Sequence, residues 1–182
     1  MTAGHAVSSS LADRVTARLR DIPDFPSPGI LFKDVTPVLA DPQVFGDVIR
    51  DMADRRRGTI DCVVGIEARG FIFGAALAHE LGIAFVPVRK AGKLPGDTIG
   101  LTYDLEYGTA TIEIHRGAFA GGERALLVDD VLATGGTAEA ACRLLDQAGA
   151  TVVAFETLVE LGFLPGRERL AGREIHSTVV VP

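Results

Sequence analysis

The sequence predicts an α/β fold, a mostly parallel sheet flanked by helices, and three observations carry that expectation. From residue 62 onward, short apolar runs alternate with longer helix-like stretches, the pattern of right-handed β–α–β crossovers. The apolar run Ala125-Leu126-Leu127-Val128 delivers Asp129 and Asp130 to a short loop, Ala133-Thr134-Gly135-Gly136-Thr137, and an alanine-rich helix begins there. Residues 94–114 break the alternation with a period-two pattern on both sides of Gly108, which reads as a hairpin.

The elements follow in order. Ser10 and Asp13 form an N-cap signal, and Leu11, Val15, Leu19 and Ile22 recur at helical spacing, so a first helix is predicted to run until Pro23. A stiff, turn-rich segment from Pro23 to Gly29 leads into Ile30-Leu31-Phe32-Lys33-Asp34. Asp41-Pro42 starts the next helix, whose buried face is Val44, Phe45, Val48, Ile49 and Met52. Arg55-Arg56-Arg57 closes it as a solvated last turn favourable to the helix dipole, and Gly58 ends it. Strands are then expected over 62–66, 85–89, 126–131 and 152–161, with helices over 70–80 and 137–148. The tail Thr178-Val179-Val180-Val181-Pro182 reads as a last strand or an interface segment.

Composition bounds the function. A chain of 182 residues, 47% hydrophobic, is expected to form one domain, 1–182, with a full core. A net charge of -6 opposes a nucleic-acid-binding role. Cys62 and Cys142 form no Cys-x-x-Cys and give no zinc spacing, and they read as buried free thiols. The first ten residues lack an apolar signal core and no later run reaches membrane-span length, so a cytoplasmic setting is expected.

The strand–Asp-Asp–loop–helix run carries the most chemistry. Glycines let backbone N–H groups turn inward, and threonine hydroxyls with the helix N-terminus complete a cradle for an anion. No Lys follows the glycines, so it is not a P-loop, and the Gly-x-Gly-x-x-Gly spacing of a dinucleotide site is missing. Paired aspartates alone would equally suit a metal site or an ordinary βα turn. Beside the Thr-Gly-Gly-Thr loop they point to a phosphorylated sugar.

Cations collect at two other strand ends. Arg69 precedes a helix start, where its fork can meet a phosphate, and Arg89, Lys90 and Lys93 lie within five residues, which suits a pyrophosphate clamp. His79-Glu80 is not a zinc motif because Ile83 holds the second His position. His5, His115 and His176 have no partner that the sequence identifies.

Val128-Asp129-Asp130-Val131-Leu132-Ala133-Thr134-Gly135-Gly136-Thr137 resembles the phosphoribosyl pyrophosphate (PRPP) motif of type I phosphoribosyltransferases. The runs from Asp24 to Asp34, Glu67 to Phe71, Val88 to Pro95 and Tyr103 to Gly108 narrow the resemblance to the adenine-using branch of that family. The resemblance spans nearly the whole chain. It implies the type I phosphoribosyltransferase fold, with a small N-terminal hood (1–35) and a mobile catalytic β-hairpin loop (94–114). It also implies a homodimer that makes AMP and pyrophosphate from adenine and PRPP, with Mg²⁺ held mainly through PRPP.

By the same resemblance, Ala133, Thr134, Gly135, Gly136 and Thr137 hold the 5′-phosphate, and Asp129 and Asp130 face the ribose hydroxyls. Glu67, Ala68, Arg69, Lys90 and Lys93 serve the pyrophosphate, with a non-proline cis peptide often found at Glu67-Ala68, and Arg89 reaches across the dimer. Leu31, Phe32 and Lys33 cover adenine, with Leu161 on its other side, and Glu106 and Tyr107 are brought over the reactants. Lys33 stands where the family often has Arg; lysine keeps the charge without the planar fork. A phosphoribosyltransferase for another base, or a PRPP- or purine-sensing regulator, are the competing readings.

Overall fold

The computed structural model describes residues 9–104 and 108–182, which divide into one unit ending at Val48 and a second running from Ile49 to Pro182. In the first unit Ser10 opens α1 (Leu11–Thr16): its Oγ accepts the Asp13 N–H at 3.1 Å while the Asp13 carboxylate accepts the Ser10 N–H at 3.1 Å. The helix does not continue to Pro23, as the spacing predicts. It ends at Thr16, and β1 (Arg20–Pro23) pairs antiparallel with β2 (Leu31–Asp34).

Two forces outweigh the helical spacing. Pro23 disfavours helical backbone at Ile22. Opposite charges also face each other across the ribbon, Arg20 Nη2 on Asp34 at 2.5 Å and Lys33 Nζ on Asp21 at 2.7 Å. A short α2 (Thr36–Leu39) follows, then α3 (Pro42–Arg56), where Asp41 Oδ1 accepts the N–H groups of Gln43 and Val44, each at 3.1 Å.

The second unit is built on a seven-stranded sheet. Its strands are β3 (Cys62–Ile66), β4 (Ala84–Lys90), β5 (Thr98–Asp104), β6 (Thr109–His115), β7 (Arg124–Leu132), β8 (Thr151–Leu161) and β9 (Glu174–Val181). Their spatial order is β5-β6-β4-β3-β7-β8-β9. The β4-β3-β7-β8-β9 portion is parallel, and the β5–β6 hairpin joins antiparallel at the end of β4 through Arg89↔Glu113 and Lys90↔Ile112. The helices are α4 (Gly70–Leu81), α5 (Gly136–Gln147) and the short α6 (Gly166–Arg169).

The chain steps from β3 outward to β4 and from β7 outward, in the opposite direction, to β8. Neighbouring β3 and β7 therefore bound the switch point, where open α/β sheets place their ligands. Leu127, Phe155, Leu144 and Leu145 pack with Val64, Ile112, Ile114 and Cys142 into one buried cluster beneath α5.

The arginine run is a solvated turn only at the exposed Arg57. Arg56 is buried, with Nε on Glu156 at 2.7 Å and Nη1 on Glu174 at 2.7 Å. Arg55 donates to the same fully buried Glu156 and to Asp51. A buried carboxylate needs such partners, and β8 supplies Glu156 about a hundred residues away in sequence.

Candidate active site

β7 carries Asp129 and Asp130 to the switch point, and the turn after β3 brings Arg69 to meet them. Arg69 donates through Nε to Asp130 Oδ2, and Asp129 Oδ1 accepts the Asp130 N–H at 2.9 Å. Burial, and then the neighbouring Asp130 charge, push the Asp129 carboxyl well above its ordinary range. Gly70 makes the approach possible, since a Cβ there would lie 2.7 Å from Val128 O and 3.1 Å from Asp129 Cα.

A pocket of about 100 Å³ follows, lined by Asp129, Val131 and residues 132–138. Gly135 turns through a positive φ of 81°, and Gly136 begins α5, so free N–H groups of the first helical turn border the pocket. Gly166 supports this loop from below: a Cβ on it would lie 2.2 Å from Ala133 O, and one on Gly135 would lie 2.7 Å from Gly166 O. The Thr137 hydroxyl is 3.0 Å from the phenol oxygen of Tyr103, on the hairpin.

A second cluster lies at the end of β4. The Glu67-Ala68 peptide is cis. Glu67 accepts from Arg89 Nε at 3.2 Å and from the Lys90 N–H at 3.0 Å. Burial raises the Glu67 pKa, but the Arg89 guanidinium and the Lys90 N–H hold it below its ordinary value. Arg89 also donates to Lys93 O at 2.9 Å and lies 6.0 Å from the centre of the Phe71 ring.

Sequence reasoning missed Glu113. This buried carboxylate on β6 accepts the N–H groups of Lys93 (3.2 Å) and Leu94 (3.1 Å) and the Thr98 hydroxyl (3.3 Å). It holds both ends of the turn that presents Lys93. It stands on the polar side of the alternating run Thr109–His115, opposite Ile112 and Ile114, where the sequence gives no sign that it is buried.

Leu161 ends β8, half-buried. In the first unit the exposed Leu31 adjoins Phe32, whose ring meets Phe25 edge-to-face at 5.2 Å, and Lys33 is engaged by Asp21. Glu106 and Tyr107, like His5, lie outside the described residues. His115 Nε2 contacts Pro95 O at 2.9 Å, and His176 Nδ1 is 3.5 Å from Glu156, so neither belongs to the site. Among the described residues no three His, Cys, Asp or Glu side chains converge as a metal cage.

Residues 35–178 match the Phosphoribosyl transferase domain family. The adenine phosphoribosyltransferase of Salinispora arenicola is 53% identical over 173 residues, covering 94% of this chain and 92% of that protein. The chain belongs to the adenine phosphoribosyltransferases. It is thereby an enzyme of the pentosyltransferase class.

Solved structures of the family agree with the fold. The crystal structure of adenine phosphoribosyltransferase from Thermoanaerobacter pseudethanolicus superposes with a TM-score of 0.90 at 47% identity, covering 94% of this chain and 100% of that one. The Saccharomyces cerevisiae enzyme, complexed with D-2,5-dideoxy-2,5-imino-altritol 1,6-bisphosphate and adenine, gives 0.88 at 40% identity over 92% and 98% of the two chains. The mostly parallel sheet with flanking helices is thus the type I phosphoribosyltransferase fold.

Proposed function

We propose that the chain transfers the 5-phosphoribosyl group of PRPP to adenine, giving AMP and pyrophosphate, with residues 1–182 acting as one phosphoribosyltransferase domain. The observation that carries this reading is the Arg69–Asp130 pair standing beside the 133–137 cradle at the sheet's switch point. In it, residues 133–137 hold the 5′-phosphate and Asp129 and Asp130 hold the ribose hydroxyls. Arg69, Lys90 and Lys93 take the pyrophosphate, with the Glu67-Ala68 peptide beside it.

Charge development sets the division of labour. As pyrophosphate departs from C1′, negative charge grows on the leaving oxygen and positive charge on the ribose ring. Arg69, Lys90 and Lys93 stabilise the first, and the two aspartates stabilise the second. Adenine loses a proton as its nitrogen bonds to C1′, and Glu106 is the acceptor or orienter, with Tyr107 beside it. Leu31, Phe32 and Lys33 cover the base, and Leu161 meets its other face.

Mg²⁺ fits this site held mainly through PRPP, because it keeps several waters and binds substrate phosphates, with at most one or two carboxylates near it. Asp129 lines the cradle, and Asp130 adjoins it, paired with Arg69. When bound, the ion would supply neutralisation of phosphate charge.

A homodimer is supported by α4, which is apolar nearly all round and leaves Ile72 42% exposed. Arg89 is then the residue that reaches the neighbouring site. A cytoplasmic setting accords with Cys62 and Cys142 as free thiols. No helix of the described residues is long and apolar enough to cross a membrane. Product analysis with PRPP, adenine and Mg²⁺ tests the reaction: AMP and pyrophosphate appear in equal amounts. Ribose 5-phosphate and pyrophosphate without AMP would overturn it.

A further inference from the structure

The hydrogen bond between Tyr103 and Thr137 joins two elements with different tasks. Tyr103 sits on β5, paired with Ala110 and one residue from the strand's end at Asp104. Thr137 is the second residue of α5 and lines the cradle. Their oxygens are 3.0 Å apart, and the Tyr103 ring is partly buried against the core beneath α5.

We propose that Tyr103 is a positioning residue for the 5′-phosphate, acting through the Thr137 hydroxyl. This rests on the reading of 133–137 as the phosphate cradle. A threonine hydroxyl has one proton and two lone pairs. When the Tyr103 phenol donates to Thr137 Oγ1, one lone pair is used and the threonine proton stays free for an outside acceptor. A phosphate oxygen is such an acceptor. With the opposite polarity Thr137 would spend its proton on Tyr103 and turn only lone pairs toward the anion, which repels them.

The phenol therefore sets the direction of the hydroxyl dipole before substrate arrives, and that orientation need not be found during binding. The same bond fastens the outer end of β5, next to its last residue Asp104, to the cradle.

The test is Tyr103→Phe, which keeps the ring and its packing and removes only the hydroxyl. A neutral hydrogen bond of this kind corresponds to about 3- to 10-fold in affinity. The KM for PRPP is expected to rise by that factor, with the KM for adenine unchanged and the melting temperature held. Thr137→Val should raise the PRPP KM on its own, and adding Tyr103→Phe to it should cost little more, because the phenol then has no hydroxyl to orient.

An unchanged PRPP KM in Tyr103→Phe would overturn the proposal, as would equal rises for PRPP and adenine. Full additivity of the two substitutions would also overturn it. Wild-type protein that forms no AMP from PRPP and adenine would instead refute the reading of the site, so the two failures are distinguishable.

Discussion

The Arg69 guanidinium and the Asp130 carboxylate form an ion pair that ties the turn after β3 to the end of β7, where the two crossovers diverge. Asp130 is only 7% exposed on its side chain and Arg69 is 42% exposed, so the pair has a dry end and a wet end. In the proposed reaction the wet end is the one that meets the departing anion.

Arg69→Ala should lower kcat/KM for PRPP by about 100- to 1000-fold, the usual scale for one preorganised transition-state contact. Arg69→Lys should recover only part, since the planar fork that serves Asp130 is lost. Steady-state kinetics at saturating adenine checks both.

Gly166→Ala should raise the KM for PRPP and leave that for adenine unchanged. The added methyl would sit 2.2 Å from Ala133 O, so the loop must move. An unaltered PRPP KM in folded protein would remove α6 from its role as the floor of the cradle.

Glu156→Ala should destabilise the fold by about 3–5 kcal/mol, the cost of leaving buried charges without their partner. Arg55 and Arg56 both lose their shared carboxylate in that variant. Arg55→Ala should cost much less, because Arg56 still neutralises Glu156. Urea unfolding of the two variants gives the comparison.

Burial pushes the Cys62 and Cys142 thiols up to about 11. A thiol reagent at pH 8 should therefore modify neither in native protein and both after denaturation. The sign for stability follows. From the ordinary thiol pKa of 9.0 up to about 11 the unfolded chain ionises while the folded one does not, so stability falls as pH rises through that window.

Glu106→Ala should lower turnover by about 10²- to 10⁴-fold, the range of general-base assistance, with little change in PRPP affinity. Mixing it with Arg89→Ala chains should restore activity in verified heterodimers if Arg89 serves the neighbouring site. No recovery would confine Arg89 to its own chain, where it pairs with Glu67.

What could be read from sequence depended on how local each cause is. β3 and β7 declare themselves by unbroken apolar runs, and α5 by the glycines before it. β1 did not, because Leu19 and Ile22 fall at helical spacing while the forces that make a strand come from Lys33 and Asp34. Arg56 looked solvated because Glu156 and Glu174 are far along the chain. Asp129, Asp130 and the 133–137 loop were legible as a motif. Glu113 and Tyr103 were not, since their meaning lies in Lys93 and Thr137, which only the folded sheet brings to them.

Nucleotide formation from PRPP with adenine, guanine, hypoxanthine and xanthine offered in turn decides which base the enzyme uses. AMP is expected from adenine, with little product from the others. Robust turnover of a 6-oxopurine with none of adenine would contradict it.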